Sequence, residues 1–160
     1  MASKGEAREA TWEALRAAGA ARFPGVRGRI PNFVGAEAAA DRLAETPGFS
    51  AARVIKCNPD SPQRPVRHRA LVAGKTVVMA VPKLAERACF WRLDPARIDD
   101  PWRASSIKGA SALGEQVSER EVGAVDLVVT GCVAVDPEGG RLGKGGGYSD
   151  LEYALLRELG

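Results

Sequence analysis

The sequence predicts an α/β domain of three layers, αβα, built on a mostly parallel sheet. Two patterns and one order of elements carry that expectation. β-branched apolar runs at 52–57, 76–81 and 126–135 have the composition of strands covered on both faces. Stretches of helical period alternate with them, as parallel strands joined by crossover helices require. The third run leads into a segment with six glycines, 139–150, and then into another helical stretch, so the order is strand, glycine loop, helix. With 160 residues, 45% hydrophobic and 27% charged, the chain has the length and balance of one globular domain over 1–160.

The elements follow in order. Residues 3–21 read as a helix capped by Ser3, with Ala7, Thr11, Trp12, Leu15 and Ala18 as its apolar stripe. Lys4 and Arg8 lie four residues apart and share a face, by themselves an ordinary solvated basic edge. Pro24, Gly25, Gly28 and Pro31 break 22–31 into loop, where Arg22, Arg27 and Arg29 suit bidentate contacts to an anion and, equally, solvent. A second helix covers 35–43 and is closed by Pro47 and Gly48. The strand 52–57 ends in the turn cluster Asn58-Pro59-Asp60-Ser61-Pro62. A third helix at 66–73 stops before Gly74, and the strand 76–81 stops at Pro82. Residues 83–118 read as a looser stretch. Its Trp91-Arg92 and Trp102-Arg103 pairs can stack on a ligand ring, but a packed edge is the commoner outcome. The final helix spans 150–159, with Leu151, Ala154, Leu155 and Leu156 on one side, Asp150 as N-cap and Gly160 as C-cap. Ligands of such sheets sit beyond the carboxyl ends of the strands, so the loops after Cys57, Val81 and Val135 are expected to face one crevice.

Composition excludes several classes. Cys57, Cys89 and Cys132 are odd in number and scattered, and His68 is the single histidine, so neither a disulfide framework nor a zinc site is supported. Cys132 is expected to be a small buried hydrophobe, and His68 a helix-surface residue. A net charge of +3 favours anions mildly and separates no nucleotide from a nucleic acid. No apolar run approaches the roughly 20 residues that span a bilayer, and the first residues lack a signal-like apolar core. A cytoplasmic protein without a membrane partner is expected.

The glycine segment carries the chemistry. Glycine reaches positive φ cheaply and lets an anion approach the backbone, where successive N–H groups form a concave site. A helix N-terminus aimed at the same point adds its partial positive charge. Arg141 and Lys144 supply mobile cations, and an ionised Asp150 offers oxygen to magnesium. The spacing matches neither a P-loop nor a dinucleotide fingerprint. On spacing alone, a phosphate site and a purely structural turn both remain open.

The segment Arg141-Leu-Gly-Lys-Gly-Gly-Gly-Tyr-Ser-Asp150 resembles the Arg-Leu-Gly-x-Gly-x-Gly-Tyr-Tyr-Asp signature of the 5-formyltetrahydrofolate cyclo-ligase family. Arg29-Ile-Pro-Asn-Phe33, Asn58-Pro-Asp60, Pro65-Val-Arg67 and the Gly-Tyr-x-Asp-Leu-Glu-Tyr form of the loop resemble its methenyltetrahydrofolate synthase domain branch. The resemblance runs from about Lys4 to Gly160. It implies the cyclo-ligase-like (NagB/RpiA/CoA-transferase-like) αβα fold, ATP and magnesium as cofactors, and a folate as substrate. The implied reaction is the ATP-dependent conversion of 5-formyltetrahydrofolate to 5,10-methenyltetrahydrofolate.

By the same resemblance, Lys4, Arg8, Arg141, Leu142, Gly143, Lys144, Gly145, Gly146, Gly147 and Tyr148 hold the ATP phosphates. Arg141 and Lys144 meet the developing charge, and Asp150 takes the metal. Three departures accompany it. Ser149 replaces the signature's second tyrosine; Gln63-Arg64-Pro65-Val66 carries no acid where the family places a folate-reading glutamate; and the family continues beyond the glycine-loop helix. The last implies a domain incomplete at its C-terminus, with marginal stability. Two further readings stay beside the ligase: an ATP- or phosphate-binding relative without that activity, and an RNA-associated module.

Overall fold

In the computed structural model, residues 2–82 and 87–158 are described. The architecture is the expected α/β one. Strands β1 (Val54–Cys57), β2 (Thr76–Ala80), β3 (Phe90–Leu93), β4 (Glu115–Val117) and β5 (Leu127–Val129) form one sheet of order β4-β3-β2-β1-β5. β1 runs parallel to β2 and β5; β3 is antiparallel to β2 and β4 is antiparallel to β3, so β3 alone opposes the common direction.

The alternation of side chains along β2 sets the layers. Val77 and Met79 face one core with Ile55, Cys57, Trp91 and Leu93. That core is covered by α2 (Ala36–Ala44), α3 (Pro47–Ala51), α4 (Arg64–Val72), α5 (Pro101–Ala104) and α6 (Ile107–Leu113) through Ala40, Phe49, Val66, Leu71, Ala104 and Ala110. Val78 and Ala80 face the other core with Phe90, Val117 and Val122. Here the cover is thinner: α7 (Glu119–Val122) and Leu156 of α8 (Tyr148–Glu158). Helix α1 (Lys4–Ala17) packs Trp12 on Val26, Ile30 and Val133. Its start is fixed by a capping box, in which the Ser3 hydroxyl accepts from the Glu6 N–H at 3.2 Å and Ser3 N donates to the Glu6 carboxylate at 2.6 Å.

Several expectations are corrected. α1 ends at Ala17, not at 21, because the chain turns at Gly19 with φ 64°. Pro47 and Gly48 do not merely stop α2. Thr46 caps a new short helix there by accepting from Phe49 N–H at 3.3 Å, with proline at its first position. The run 126–135 is not one fully covered strand. β5 is a half-exposed edge, the chain leaves the sheet, and β6 (Ala134–Val135) pairs instead with β7 (Arg141–Leu142) in a separate antiparallel ribbon. The departure point is Gly131, where a Cβ would sit 2.6 Å from Gln63 Oε1 and 2.8 Å from Ile30 Cγ2. Cys132, next to it, is half-buried, and burial pushes its thiol pKa up.

Within the stretch read as loose, residues 87–118 are more regular than their composition suggests. Its helices α5 and α6, and α7 just after it, are short and each starts at a cap, Asp100, Ser106 and Ser118, so periodicity had little length in which to show. Trp91 is a core residue, and the Arg64 guanidinium lies 3.9 Å over the Trp102 ring with His68 edge-on at 5.3 Å. The arginine stacked on Trp102 is thus Arg64 and not its sequence neighbour Arg103, in a half-exposed edge contact within the chain. α8 starts at Tyr148, which puts Asp150 in its first turn and not at its N-cap. Gly160, expected to cap the other end, lies outside the described residues.

Candidate functional site

The carboxyl ends of β1 and β2 open into a cleft of about 610 Å³. Its walls come from four places: Lys4 and Arg8 of α1; Arg29 and Ile30; Asn58, Pro59, Asp60 and Ser61 after β1, with Val81 and Pro82 after β2; and the whole segment from Arg141 to Asp150. The expected convergence of the three loops on one crevice is therefore observed. Lys4, Arg8, the segment from Arg141 to Tyr148 and Asp150 all border it. Of the three loop arginines, Arg29 reaches the cleft, while Arg27 is paired with Glu9 at 2.9 Å.

The wall after β1 is held by Arg67, a buried guanidinium in α4. It donates from Nη1 to the carbonyls of Asn58 and Asp60, from Nη2 to that of Pro59 at 3.3 Å, and from Nε to that of Ser105 at 2.8 Å. Burial pulls the guanidinium pKa down, opposed by Cys57 and Asp60. The same burial pushes the Cys57 thiol up, against Arg67 and Lys56, so this cysteine is an inert core group.

The opposite wall is the glycine loop. It hangs from the β6–β7 ribbon, whose turn is closed by Asp136 accepting from the Gly140 N–H at 2.6 Å. Gly145 has φ 109° and Gly147 φ 74°, backbone that side-chain-bearing residues rarely adopt. Among the described residues, none accepts a hydrogen bond from the N–H groups of 143–147. These amides and the first turn of α8, whose leading N–H groups have no helical acceptor, border the cleft together.

Arg8 Nε donates to the Gly143 carbonyl at 2.7 Å, and its guanidinium lies beside Gly145. Arg141 Nη2 donates to Asp150 Oδ1 at 2.7 Å, so the carboxylate expected to take a metal is engaged by a cation of the same loop. Lys144 Nζ stands 3.9 Å from Asp60 Oδ1 and spans the two walls.

Beneath the loop lies a group that sequence reasoning missed. Lys56, in the middle of β1, is 1% exposed; its ammonium donates to Asn58 Oδ1 at 2.8 Å and is ion-paired with the Glu152 carboxylate on α8. Asn58 Nδ2 in turn donates to Ser149 Oγ at 2.8 Å. The available signal was a lysine inside an apolar strand, which needs a buried partner. Arg67 gave less: nothing in the helix 66–73 distinguishes a buried arginine from a solvated one.

A second depression, about 510 Å³, is bordered by Asp41, Phe49, His68, Arg69 and Lys75. Its cations are committed elsewhere, Arg69 to Asp41 at 2.6 Å and Lys75 to the carbonyls of Ser50 and Ala52. The cleft at the strand ends is the candidate site.

Among the described residues, no helix is long and apolar enough to cross a membrane, and no group of three metal-ligating side chains occurs. The chain matches the 5-formyltetrahydrofolate cyclo-ligase family over residues 1–159. It is 40% identical to a methenyltetrahydrofolate synthase domain-containing protein from Mus musculus, over 99% of this chain and 43% of the relative. It is 38% identical to the protein of the same name from Bos taurus and 34% to that from Homo sapiens, in each case over 99% of this chain and 42% of the relative. The chain thus spans less than half the length of these curated relatives.

Proposed function

Because the chain belongs to the 5-formyltetrahydrofolate cyclo-ligase family, we propose that its cleft carries out the ATP-dependent closure of 5-formyltetrahydrofolate to 5,10-methenyltetrahydrofolate, or a closely related reaction. The observation that carries this reading is the convergence of Lys4, Arg8 and the 141–148 loop on one cleft, with Arg8 donating to the Gly143 carbonyl across 135 positions of sequence. The donor set suits a polyphosphate: unpaired loop amides, a helix N-terminus and five cations, Lys4, Arg8, Arg29, Arg141 and Lys144, on its walls. Magnesium is commonly held by one or two carboxylates together with phosphate oxygens, so Asp150 suffices as a protein ligand once Arg141 turns from it to phosphate.

ATP supplies the phosphoryl group that converts the formyl oxygen into a leaving group. The chain's own part is positioning and charge neutralisation. The amides of 143–147 and the start of α8 hold the phosphates, with Lys4 and Arg8 as outer contacts. Arg141 and Lys144 meet charge as it develops, and the wall from Asn58 to Ser61 faces the folate.

Absorbance of the methenyl product tests this in a mixture of protein, magnesium, ATP and 5-formyltetrahydrofolate. Product should form with the parent chain and disappear in a Lys144→Ala, Asp150→Ala double variant. A chain that binds ATP but forms no product favours the second reading, a nucleotide-binding relative without the ligase reaction. One observation supports that alternative: Ser149, where the signature has tyrosine, offers the cleft no ring and is tied to Asn58.

A further inference from the structure

Lys56 and Glu152 are given no part in the chemistry above, yet both are deeply buried charges beneath the cleft, at 1% and 4% exposure. We propose that Lys56, Asn58, Ser149 and Glu152 form a latch that sets where the N-terminal turn of α8, and with it the glycine loop, stands against the end of β1. Lys56 and Glu152 are its positioning residues. The link from latch to nucleotide affinity rests on the phosphate-site reading; the latch itself does not.

Three observations support it. On the strand side the anchor is rigid. Lys56 is paired to Val78 and Val128 on neighbouring parallel strands, and the Asn58 carbonyl is clamped by Arg67. On the helix side the hold is weak, because Leu151 and Tyr153 are 55% and 54% exposed and the one buried residue of α8 is Glu152. Apolar contact is non-directional and cannot fix a helix that buries so little of its apolar side. The contacts that join the two sides are, by contrast, directional: an ion pair across 96 positions and an amide-to-hydroxyl bond across 91. They end on Ser149 and Glu152, within the turn that follows the loop amides. A buried ion pair is generally a poor source of stability against apolar residues of equal volume, and its best-attested use is to specify one arrangement.

The test compares Glu152→Gln, the volume-keeping Lys56→Met/Glu152→Leu double variant, and Leu93→Ala, a cavity change in the opposite core. Hydrogen exchange of the α8 amides is the primary reading. Glu152→Gln should raise it about 10-fold relative to β2 amides. The double variant should regain thermal stability while α8 still exchanges fast. Leu93→Ala should lower the melting temperature without that selective change. Affinity for magnesium ATP should fall about 10-fold in both latch variants and less than about 2-fold in Leu93→Ala.

Parent-like α8 exchange in the double variant overturns the proposal, as does equal weakening of ATP binding by Leu93→Ala. If Glu152→Gln does not fold, the double variant alone decides. If the parent chain binds no ATP, the phosphate-site reading fails while the exchange data still judge the latch.

Discussion

Replacing Arg67 by alanine is the most severe single perturbation that the cleft wall offers. The guanidinium serves four carbonyls, those of Asn58, Pro59, Asp60 and Ser105, and is 1% exposed. Each carbonyl left unsatisfied in a buried place costs about 1–3 kcal/mol. Against this stand the cost of burying the guanidinium itself, which the variant recovers, and water entering the vacated volume to serve some of the carbonyls. The balance is a loss of about 3–5 kcal/mol, the range found when one side of a buried polar arrangement is removed. For a domain of this size each kcal/mol moves the melting temperature by about 2–4 °C, so a fall of roughly 6–20 °C is expected. Urea unfolding followed by tryptophan fluorescence and a parallel thermal scan measure it. Arg67→Lys should recover less than half, since one ammonium cannot span carbonyls that a planar fork reaches together. A loss below about 1 kcal/mol in Arg67→Ala would refute the reasoning and show that the 58–60 loop keeps its path unaided.

Three further outcomes follow. Gly109→Ala should cost about 2–4 kcal/mol in urea unfolding, because a Cβ there overlaps the backbone carbonyl of Arg103 and must part α5 from α6. Asp126 accepts from the N–H groups of Val54 and Arg53, in that order of effect, and its carboxyl is held below its usual pKa. The folded value is the lower one, so its contribution is present above the unfolded pKa of about 3.9 and is lost as pH falls through the folded value. Urea midpoints should therefore drop with acid below about pH 4, less steeply in Asp126→Asn; an unchanged slope counts against the clip. Asp150→Asn frees Arg141 from its ion pair, so titration calorimetry should find ATP affinity maintained without magnesium and little gained on adding it.

The sequence was most legible where pattern had room to repeat. Apolar runs and helical periods located β1, β2, α1, α2 and α4, and the glycine segment pointed to the cleft. It was least legible where tertiary contact decides. Nothing local says that the chain leaves the sheet near Gly131, where Gln63 and Ile30 leave no room for a side chain. The α-helices between β3 and β5 are too short for a period and are set by caps. Lys56 passed unremarked inside an apolar run, and nothing local pointed to its partner on α8, 96 positions away. The candidate residues were therefore nameable, and the polar floor that holds them was not.

The Arg67 clamp has an evolutionary consequence. Its hydrogen bonds to this segment all end on main-chain oxygens, which every amino acid supplies, so the hold on 58–60 does not depend on hydrogen bonds to the side chains at 59 and 60. Substitutions at 59 and 60 can alter what the wall offers to a small molecule while leaving its main-chain path in place, whereas the Asn58 side chain is itself engaged by Lys56 and Ser149. Relatives that share this arginine are where diversification of ligand preference on a constant backbone should be sought, and a library varied at 60 and 61 is a natural starting point for redirecting the cleft.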